Sequence, residues 1–231
     1  YYQTANGLSG TALKTELHTI IEDHVELEYG TIKTVIRQAD EDPNNSNNII
    51  LLYTGNSISK WDFASDPNNS ANNDFWNREH VWAKSHGNFG PDGIYTDRGA
   101  NTDAHHLRPV DMTINSARGY KDFNTGGTVV NNGSIPTDCY STTNTWEPRN
   151  AVKGDVARMI MYMFLRYGSQ CYPSGVAIGF TNSLDSNMID LLLDWNATDS
   201  VSQLEDNRNT YHGNTTNTYA QGNRNPFIDN P

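Results

Sequence analysis

Residues 75–123 read FWNREHVWAKSHGNFGPDGIYTDRGANTDAHHLRPVDMTINSARGYKDF and hold a dense group of candidate functional side chains. They include four of the seven histidines of the chain and the adjacent pair Glu79 and His80. Six Lys and Arg residues balance six Asp and Glu residues here, so the rest of the chain carries the whole formal net charge of −11. A locally neutral segment rich in His and Arg is where so acidic a chain can accept an anionic ligand.

Three side chains in this stretch have the chemistry of a metal-assisted hydrolytic site. The Glu79 carboxylate and the Asn115 carbonyl are hard oxygen donors of the kind that Mg²⁺ binds, and a neutral His80 can act as a general base. Neighbouring side chains on a regular strand point to opposite faces. Glu79 and His80 can therefore serve one site only if the strand ends or bulges there, or if one faces the metal while the other reaches past it. A helix predicted for residues 109–123 places Asn115 and Arg118 on one face.

The size and composition of the chain limit its class. At 231 residues it can form one large domain or two small ones, and 35% hydrophobic content with abundant Asn, Thr, Gly and Tyr predicts a soluble, loop-rich protein. No apolar run approaches the roughly 18 residues that a membrane span needs, so no membrane partner is expected. The abrupt start at Tyr1 is typical of a processed or trimmed chain.

The net charge bears on the class of partner. It argues against tight, static binding to nucleic acid, which requires clustered Lys and Arg. It does not exclude a nuclease, because an enzyme that releases a polyanionic product gains from weak ground-state binding. A divalent cation can then supply positive charge in the transition state.

Helical and strand signals are mixed without strict alternation, which predicts an α+β fold in a single domain, residues 1–231. Apolar residues at helical spacing predict helices over residues 8–28, 109–123, 151–167, 187–195 and 200–209, and the stripe in 151–167 is interpreted as core. A buried strand is predicted for 49–53, a strand-like pair at 81–82, a glycine-rich loop at 88–102 and a short hairpin within 126–134.

Five segments occur in a fixed order along the chain: NREHVW (77–82), DAHHLRP (103–109), NSARG (115–119), KGDVAR (153–158) and QGNRNPF (221–227). Together they resemble the Endonuclease I family of secreted and periplasmic non-specific nucleases. Five matching segments in order are far more specific than any one of them. Ala83 departs from the family pattern, since many relatives have proline at that position.

This resemblance implies a ββα-metal motif, in which two short strands and a helix hold one divalent cation. Mg²⁺ is the expected ion, with Ca²⁺ or Mn²⁺ as alternatives. Glu79 and Asn115 match the metal ligands, and His80 matches the general base that activates the attacking water. Hydrolysis would leave 5′-phosphate and 3′-hydroxyl ends, and would depend on positioning and charge neutralisation. The loop with the phosphate-clamping arginine varies in length, which leaves Arg98 and Arg108 as candidates.

The resemblance also gives supporting roles to three residues. Asp103 and His105 are expected to orient a ligand by hydrogen bonding, with a loop cap as the alternative for Asp103 and a purely structural role as the alternative for His105. Arg118, one turn beyond Asn115, is expected to reach the phosphate. The implied enzyme is a secreted or periplasmic monomer that binds nucleic acid transiently, with DNA as the substrate and RNA as a further one.

Two functions of other classes are alternatives. A carbohydrate- or surface-binding module without catalysis would suit the abundant Asn, Thr, Tyr and Trp, but it leaves the Glu79–His80 pair without a role. A zinc hydrolase would have to be built on the four histidines of the central stretch, which lack the HExxH motif and any usual ligand spacing: His80, His86, His105 and His106.

Several residues are interpreted as structural. Packing roles are favoured for His86 and His106, and for Trp76 and Trp82 in preference to base stacking. Cys139 and Cys171 fit either one disulfide or two free thiols. No Cys-x-x-Cys motif indicates a thiolate zinc site.

Overall fold

The computed structural model describes residues 1–66, 75–89 and 98–231. Its α-helices are α1 (Gly10–Glu22), α2 (Tyr29–Ala39), α3 (Lys84–Gly87), α4 (Met112–Arg118), α5 (Lys153–Tyr167), α6 (Asp190–Thr198), α7 (Gln203–Gly213) and α8 (Pro226–Asp229). Its strands are β1 (Glu41–Asp42), β2 (Asn45–Ile50), β3 (Ser57–Ser59), β4 (Trp76–His80), β5 (Leu107–Asp111), β6 (Asp122–Phe123), β7 (Thr128–Asn132), β8 (Ile135–Ser141) and β9 (Thr145–Glu147). This mixture confirms the predicted α+β class. No helix within the described ranges is both long and apolar enough to cross a membrane.

The helix α5 lies at the centre of the larger hydrophobic core, as its apolar stripe predicts. Every residue from Gly154 to Leu165 is buried. The helix packs against α1, α6 and α8. Val156, Ile160 and Met163 are completely inaccessible to solvent, and each such side chain contributes about 1.5–3 kcal/mol through burial.

The strands form small sheets instead of one continuous sheet. β1, β2 and β3 form an antiparallel sheet, and β6, β9, β8 and β7 form a mixed sheet in that order. β7 and β8 are the hairpin predicted within residues 126–134, and it continues to Ser141. β4 pairs with β5, and both α2 and α4 pack on this pair. The β4–β5 pair is therefore where the central stretch of the sequence meets two helices.

The helix predicted for residues 109–123 is shorter than predicted, because its first residues belong to β5. Leu107–Asp111 pair with β4 along their whole length. The carboxylate of Asp111 then caps α4 by accepting hydrogen bonds from the backbone amides two and three residues further on, at 2.8 and 3.1 Å. The helix ends at Gly119, whose φ of +57° suits glycine.

The predicted helix over residues 8–28 was also too long, and α2 was missed. The first helix ends at Glu22, and the chain then runs without regular structure to α2. Polar residues before and after α2 obscured its signal in the sequence. That signal is a stripe of buried apolar residues at helical spacing, formed by Ile32, Val35, Ile36 and Ala39.

Other predicted boundaries moved by a few residues. The strand predicted for 49–53 is β2, which ends at Ile50, and the strand-like pair at 81–82 follows the end of β4. The helices predicted for 187–195 and 200–209 begin three residues later, as α6 and α7. The loop predicted for 88–102 is described only at its two ends, because residues 90–97 lie outside the described ranges.

Cys139 and Cys171 are both free thiols, so they do not form a disulfide. Both side chains are buried. Burial raises the pKa of each thiol, which keeps both protonated at neutral pH and makes them poor nucleophiles.

The segment 221–225 is buried inside the fold and joins distant elements. The Asn223 side-chain amide donates to the Ile21 carbonyl of α1 at 3.0 Å, and the Asn225 amide donates to the Arg158 carbonyl of α5 at 3.1 Å. The first bond satisfies a carbonyl in the last turn of α1, where no intrahelical donor is available, and the second ties the segment to the middle of α5.

We expect Ile160→Ala to lower the free energy of unfolding by about 2–5 kcal/mol, because it removes fully buried apolar volume from the centre of α5. Urea unfolding followed by circular dichroism measures the effect. Leu184→Ala is the control: Leu184 is 96% exposed, so its loss is expected to change stability by less than about 0.5 kcal/mol. Equal effects of the two substitutions would contradict a core centred on α5.

Candidate active site

The β4–β5–α4 unit places the central side chains beside one another. In the antiparallel register Glu79 lies opposite Arg108, and His80 lies opposite Leu107. β4 ends at His80 and the chain bends at residues 81–82, which meets the requirement that the strand end where Glu79 and His80 share a site. α4 follows β5 directly and contacts both strands.

A cleft of about 350 Å³ opens beside this unit. Glu79, His80 and Asn115 all line it, together with Arg78 and Arg118. The structure thus brings together the carboxylate, the imidazole and the amide that the sequence indicates.

Glu79 is 2% exposed, and one of its two carboxylate oxygens already has protein partners. Its Oε1 accepts a hydrogen bond from the Tyr53 hydroxyl at 2.9 Å and lies 3.4 Å from Nη1 of Arg118. Its Oε2 has no hydrogen-bond partner in the described part of the chain. Burial raises the pKa of Glu79, and the Arg118 charge and the Tyr53 hydrogen bond counter part of that increase.

Asn115 presents its carbonyl oxygen in a complementary way. Its Nδ2 donates to Oδ1 of Asn77 at 2.6 Å and to the Arg78 carbonyl at 3.2 Å, which fixes the amide on β4. Its Oδ1 accepts no hydrogen bond from any residue that the structure describes. Two oxygen acceptors without a protein donor, Glu79 Oε2 and Asn115 Oδ1, therefore belong to residues of one cleft, and this donor set fits a hard divalent cation that keeps several waters.

His80 is held as a neutral imidazole with one nitrogen unoccupied. Its Nε2–H donates to the Asn101 carbonyl at 2.9 Å, which leaves Nδ1 as the acceptor. The ring lies between Tyr29, nearly parallel at 5.6 Å between centroids, and His106, also at 5.6 Å. Burial lowers the pKa of His80 to about 3, and His106 and Lys84 add to that effect.

Arg118 is 1% exposed, and its guanidinium bonds to backbone carbonyls next to the site. Its Nη1 donates to the His80 and Gly119 carbonyls, both at 3.1 Å, and its Nη2 donates to the Val81 carbonyl at 2.9 Å. The guanidinium expected to reach a phosphate is thus committed to the backbone at the end of β4 and to the Glu79 carboxylate.

Neither arginine expected to clamp the phosphate lines the cleft. Arg108 is buried, with Nε donating to Asp40 at 2.8 Å and Nη1 donating to Asp155 at 3.2 Å. Arg98 is about half exposed and donates to the Glu26 carbonyl and the Glu28 carboxylate, both at 2.6 Å.

Arg78 and Lys84 are cations of the cleft that the sequence reasoning did not single out. The Arg78 guanidinium lies 3.7 Å from the centroid of the Tyr29 ring. The only signal in the sequence was the position of Arg78 next to Glu79, because the contact with Tyr29 joins residues 49 positions apart.

Asp103 and His105 lie away from the cleft, in the interior next to α5. Asp103 accepts hydrogen bonds from the Tyr162 and Tyr167 hydroxyls at 2.8 and 2.9 Å. The His105 ring packs 4.5 Å from the Tyr162 ring, and its Nε2 donates to Asn223. Neither side chain makes a hydrogen bond to Glu79, His80 or Asn115. Asp103 Oδ1 accepts from the His105 backbone amide at 2.9 Å, as in the loop cap that was its alternative role.

The histidines do not form the predicted alternative, a zinc centre. Within the described ranges, no three His, Cys, Asp or Glu side chains lie close enough together to hold a metal ion. His86 donates to the Gly175 carbonyl at 2.6 Å, and His106 donates to the Ala100 carbonyl at 2.8 Å. Trp76 and Trp82 are buried, which confirms their packing role.

Asp103→Asn is expected to lower stability at pH 7 by about 1–3 kcal/mol, because it weakens the bonds from two buried tyrosines. Burial alone would raise the pKa of Asp103, but the neighbouring His24, His105 and His106 together with its hydrogen bonds leave that pKa lowered. A lowered pKa contributes stability that is present above about pH 4 and is lost as the pH falls below it.

Urea unfolding at several pH values between 2.5 and 7 measures this contribution. The substitution should flatten the loss of stability in acid, whereas Asp194→Asn, at an exposed position, should leave the pH profile as it is. An unchanged acid limb in Asp103→Asn would contradict the assignment of a buried carboxylate.

The sequence is similar to known proteins along nearly its whole length. The Endonuclease I family model matches residues 9–231. The chain is 46% identical over 235 residues to an extracellular ribonuclease of Bacillus amyloliquefaciens and 45% identical over 235 residues to one of Bacillus subtilis (strain 168). Each alignment covers all of this chain and 75% of the relative.

These similarities favour a nuclease over the glycan-binding module and the zinc hydrolase. They confirm the expectations of a phosphodiester hydrolase with a nucleic-acid substrate and of a secreted protein. The chain belongs to the Endonuclease I family.

Proposed function

We propose that the chain is a divalent-cation-dependent endonuclease that hydrolyses RNA as well as DNA and leaves 5′-phosphate ends. The observation that carries the proposal is the shared cleft of Glu79, His80 and Asn115, in which one acceptor atom of each side chain has no protein partner among the described residues. Cleavage of RNA is included because both relatives are named extracellular ribonucleases.

Glu79 and Asn115 would hold one divalent cation, with Mg²⁺ as the first candidate and Ca²⁺ or Mn²⁺ as alternatives. The bound ion would supply positive charge beside the phosphate oxygens. Hydrogen bonds already hold both proposed ligands in place. The Asn115 amide is fixed by Asn77 and Arg78, and the Glu79 carboxylate is fixed by Tyr53. Such supporting bonds hold a ligand in one orientation and reduce the entropy lost on binding.

His80 would act as the general base. Because the Asn101 carbonyl occupies Nε2–H, the proton taken from the attacking water would go to Nδ1. Burial makes this imidazole a weak base in the free protein. A bound phosphate would add negative charge to the cleft, which raises the pKa of a histidine, whereas the bound cation would act in the opposite sense.

The phosphate would be held by cations at the edge of the cleft. Arg78 and Lys84 line it directly. Of the two arginines predicted as the clamp, Arg98 is the better placed, because its partner Glu28 is itself exposed and can be exchanged for a phosphate. Arg108 would give up ion pairs with two buried carboxylates, Asp40 and Asp155, if it moved.

We expect His80→Ala to fold like the parent and to lose about 10²–10⁴-fold in cleavage rate, because it removes the proton acceptor. Cleavage of plasmid DNA and of a defined RNA in Mg²⁺ measures the rate, and circular dichroism measures the fold. The matched control is His18→Ala, since His18 is a partly exposed histidine of α1 outside the cleft. Parent-like activity in His80→Ala would exclude this general base.

We expect EDTA to abolish cleavage and excess Mg²⁺ to restore it. Glu79→Gln should weaken cation binding, because it removes the negative charge while keeping an oxygen that can accept from Tyr53. Isothermal titration calorimetry with Mg²⁺ or Mn²⁺ measures the affinity. The control is Glu22→Gln, at an exposed position of α1. Cleavage that persists in EDTA would refute the cation requirement.

A further inference from the structure

The active-site cleft continues into a second cleft of about 530 Å³. The two clefts share Arg118, Gly119 and Tyr120 in their linings. The second cleft extends past the end of α4 towards His86 and Lys121. The combined groove therefore extends beyond the part lined by Glu79, His80 and Asn115.

The groove is more positive than the chain as a whole. Among the residues that the structure describes, its charged lining residues are the cations Arg78, Lys84, Arg118 and Lys121 and the carboxylates Glu79 and Asp122. The whole chain carries a formal net charge of −11. A groove with an excess of cations on an acidic protein concentrates a polyanion there and repels it elsewhere.

Tyr120 stands exposed where the two clefts meet. It is 72% exposed, the largest exposed fraction among the aromatic residues of the groove, and its ring centroid lies 6.1 Å from that of His86. Its hydroxyl makes no hydrogen bond to the described residues. Gly119, with a φ of +57°, ends α4 and turns the chain, and Lys121 N bonds back to the Arg118 carbonyl at 3.2 Å. The turn presents the Tyr120 ring to solvent, where it adds nothing to the core.

We propose that Tyr120 is a base-stacking residue that makes unpaired nucleic acid the preferred substrate. The inference rests on the proposed nuclease function, because it places the scissile phosphate beside Glu79 and His80. A strand that continues from the active-site cleft into the second cleft passes Tyr120, because Tyr120 lines both. Only an unpaired base can expose its face to an aromatic ring, because bases in a duplex stack on one another. The chemistry is the same for single-stranded RNA and DNA.

Cleavage kinetics test the proposal. Tyr120→Ala should lower kcat/KM on a single-stranded oligonucleotide by about 10- to 100-fold, mainly through KM, as expected for the loss of one stacked base. It should leave cleavage of the corresponding duplex unchanged. Tyr120→Phe should behave like the parent, since the ring and not the hydroxyl is used. The control is Phe180→Ala, which removes an aromatic ring that is 85% exposed and lines neither cleft.

A binding measurement separates this proposal from the nuclease function. A single-stranded oligonucleotide with 2-aminopurine is titrated with full-length protein carrying His80→Ala, with and without Tyr120→Ala. Quenching of 2-aminopurine that depends on Tyr120 supports the stacking role. Equal quenching in both proteins, equal losses on single-stranded and duplex substrates, or a Tyr120→Phe variant as impaired as Tyr120→Ala would overturn it. A parent protein that cleaves no nucleic acid in Mg²⁺, Ca²⁺ or Mn²⁺ would refute the proposed function, and the quenching result would still decide the role of Tyr120.

Discussion

The buried guanidinium of Arg118 is the interaction on which the site depends. It joins the end of α4 to the end of β4 through the His80 and Val81 carbonyls, and it lies 3.4 Å from the Glu79 carboxylate. Arg118 is only 1% exposed, and a buried charge is tolerated only when it is paired and hydrogen-bonded. The guanidinium therefore needs these carbonyl and carboxylate partners. The planar fork of Arg118 reaches two successive carbonyls at once, which the single ammonium of a lysine cannot do in the same way.

Burial acts on the two central titratable groups in the same sense. It raises the pKa of Glu79 and lowers the pKa of His80, so it favours the neutral form of each. For His80 the neutral form is the one a base needs. For Glu79 the burial is a disadvantage that Arg118 and Tyr53 only partly offset. The proposed cation would remove that disadvantage, because a positive charge beside the open oxygen stabilises the carboxylate.

The sequence indicated the grouping of the candidate site residues more closely than the boundaries of the elements around them. Glu79, His80 and Asn115 were singled out from their residue types and from the family resemblance, and the structure places all three on one cleft. The apolar stripe of α5 was found because its period is strict. The start of α4 was misplaced because Asp111, a cap, decides it more strongly than helix propensity does. The partners of Arg108 could not be read, since Asp40 and Asp155 lie 68 and 47 residues away along the chain. The exposure of Tyr120 follows from a turn at Gly119, and a sequence does not show which side of a turn faces a groove.

The buried segment 221–225 has a consequence for how the molecule matures. Its side chains bind carbonyls of α1 and α5, so contacts such as that between Asn223 and Ile21 span 202 positions. Closing loops of that length is slow, because chain entropy must be lost before the contacts form. A growing polypeptide that still lacks this segment leaves the Ile21 carbonyl of α1 and the buried Ala104 amide, which donates to the Gln221 side chain, without these partners. The interior therefore reaches its final set of hydrogen bonds only after synthesis has passed residue 225.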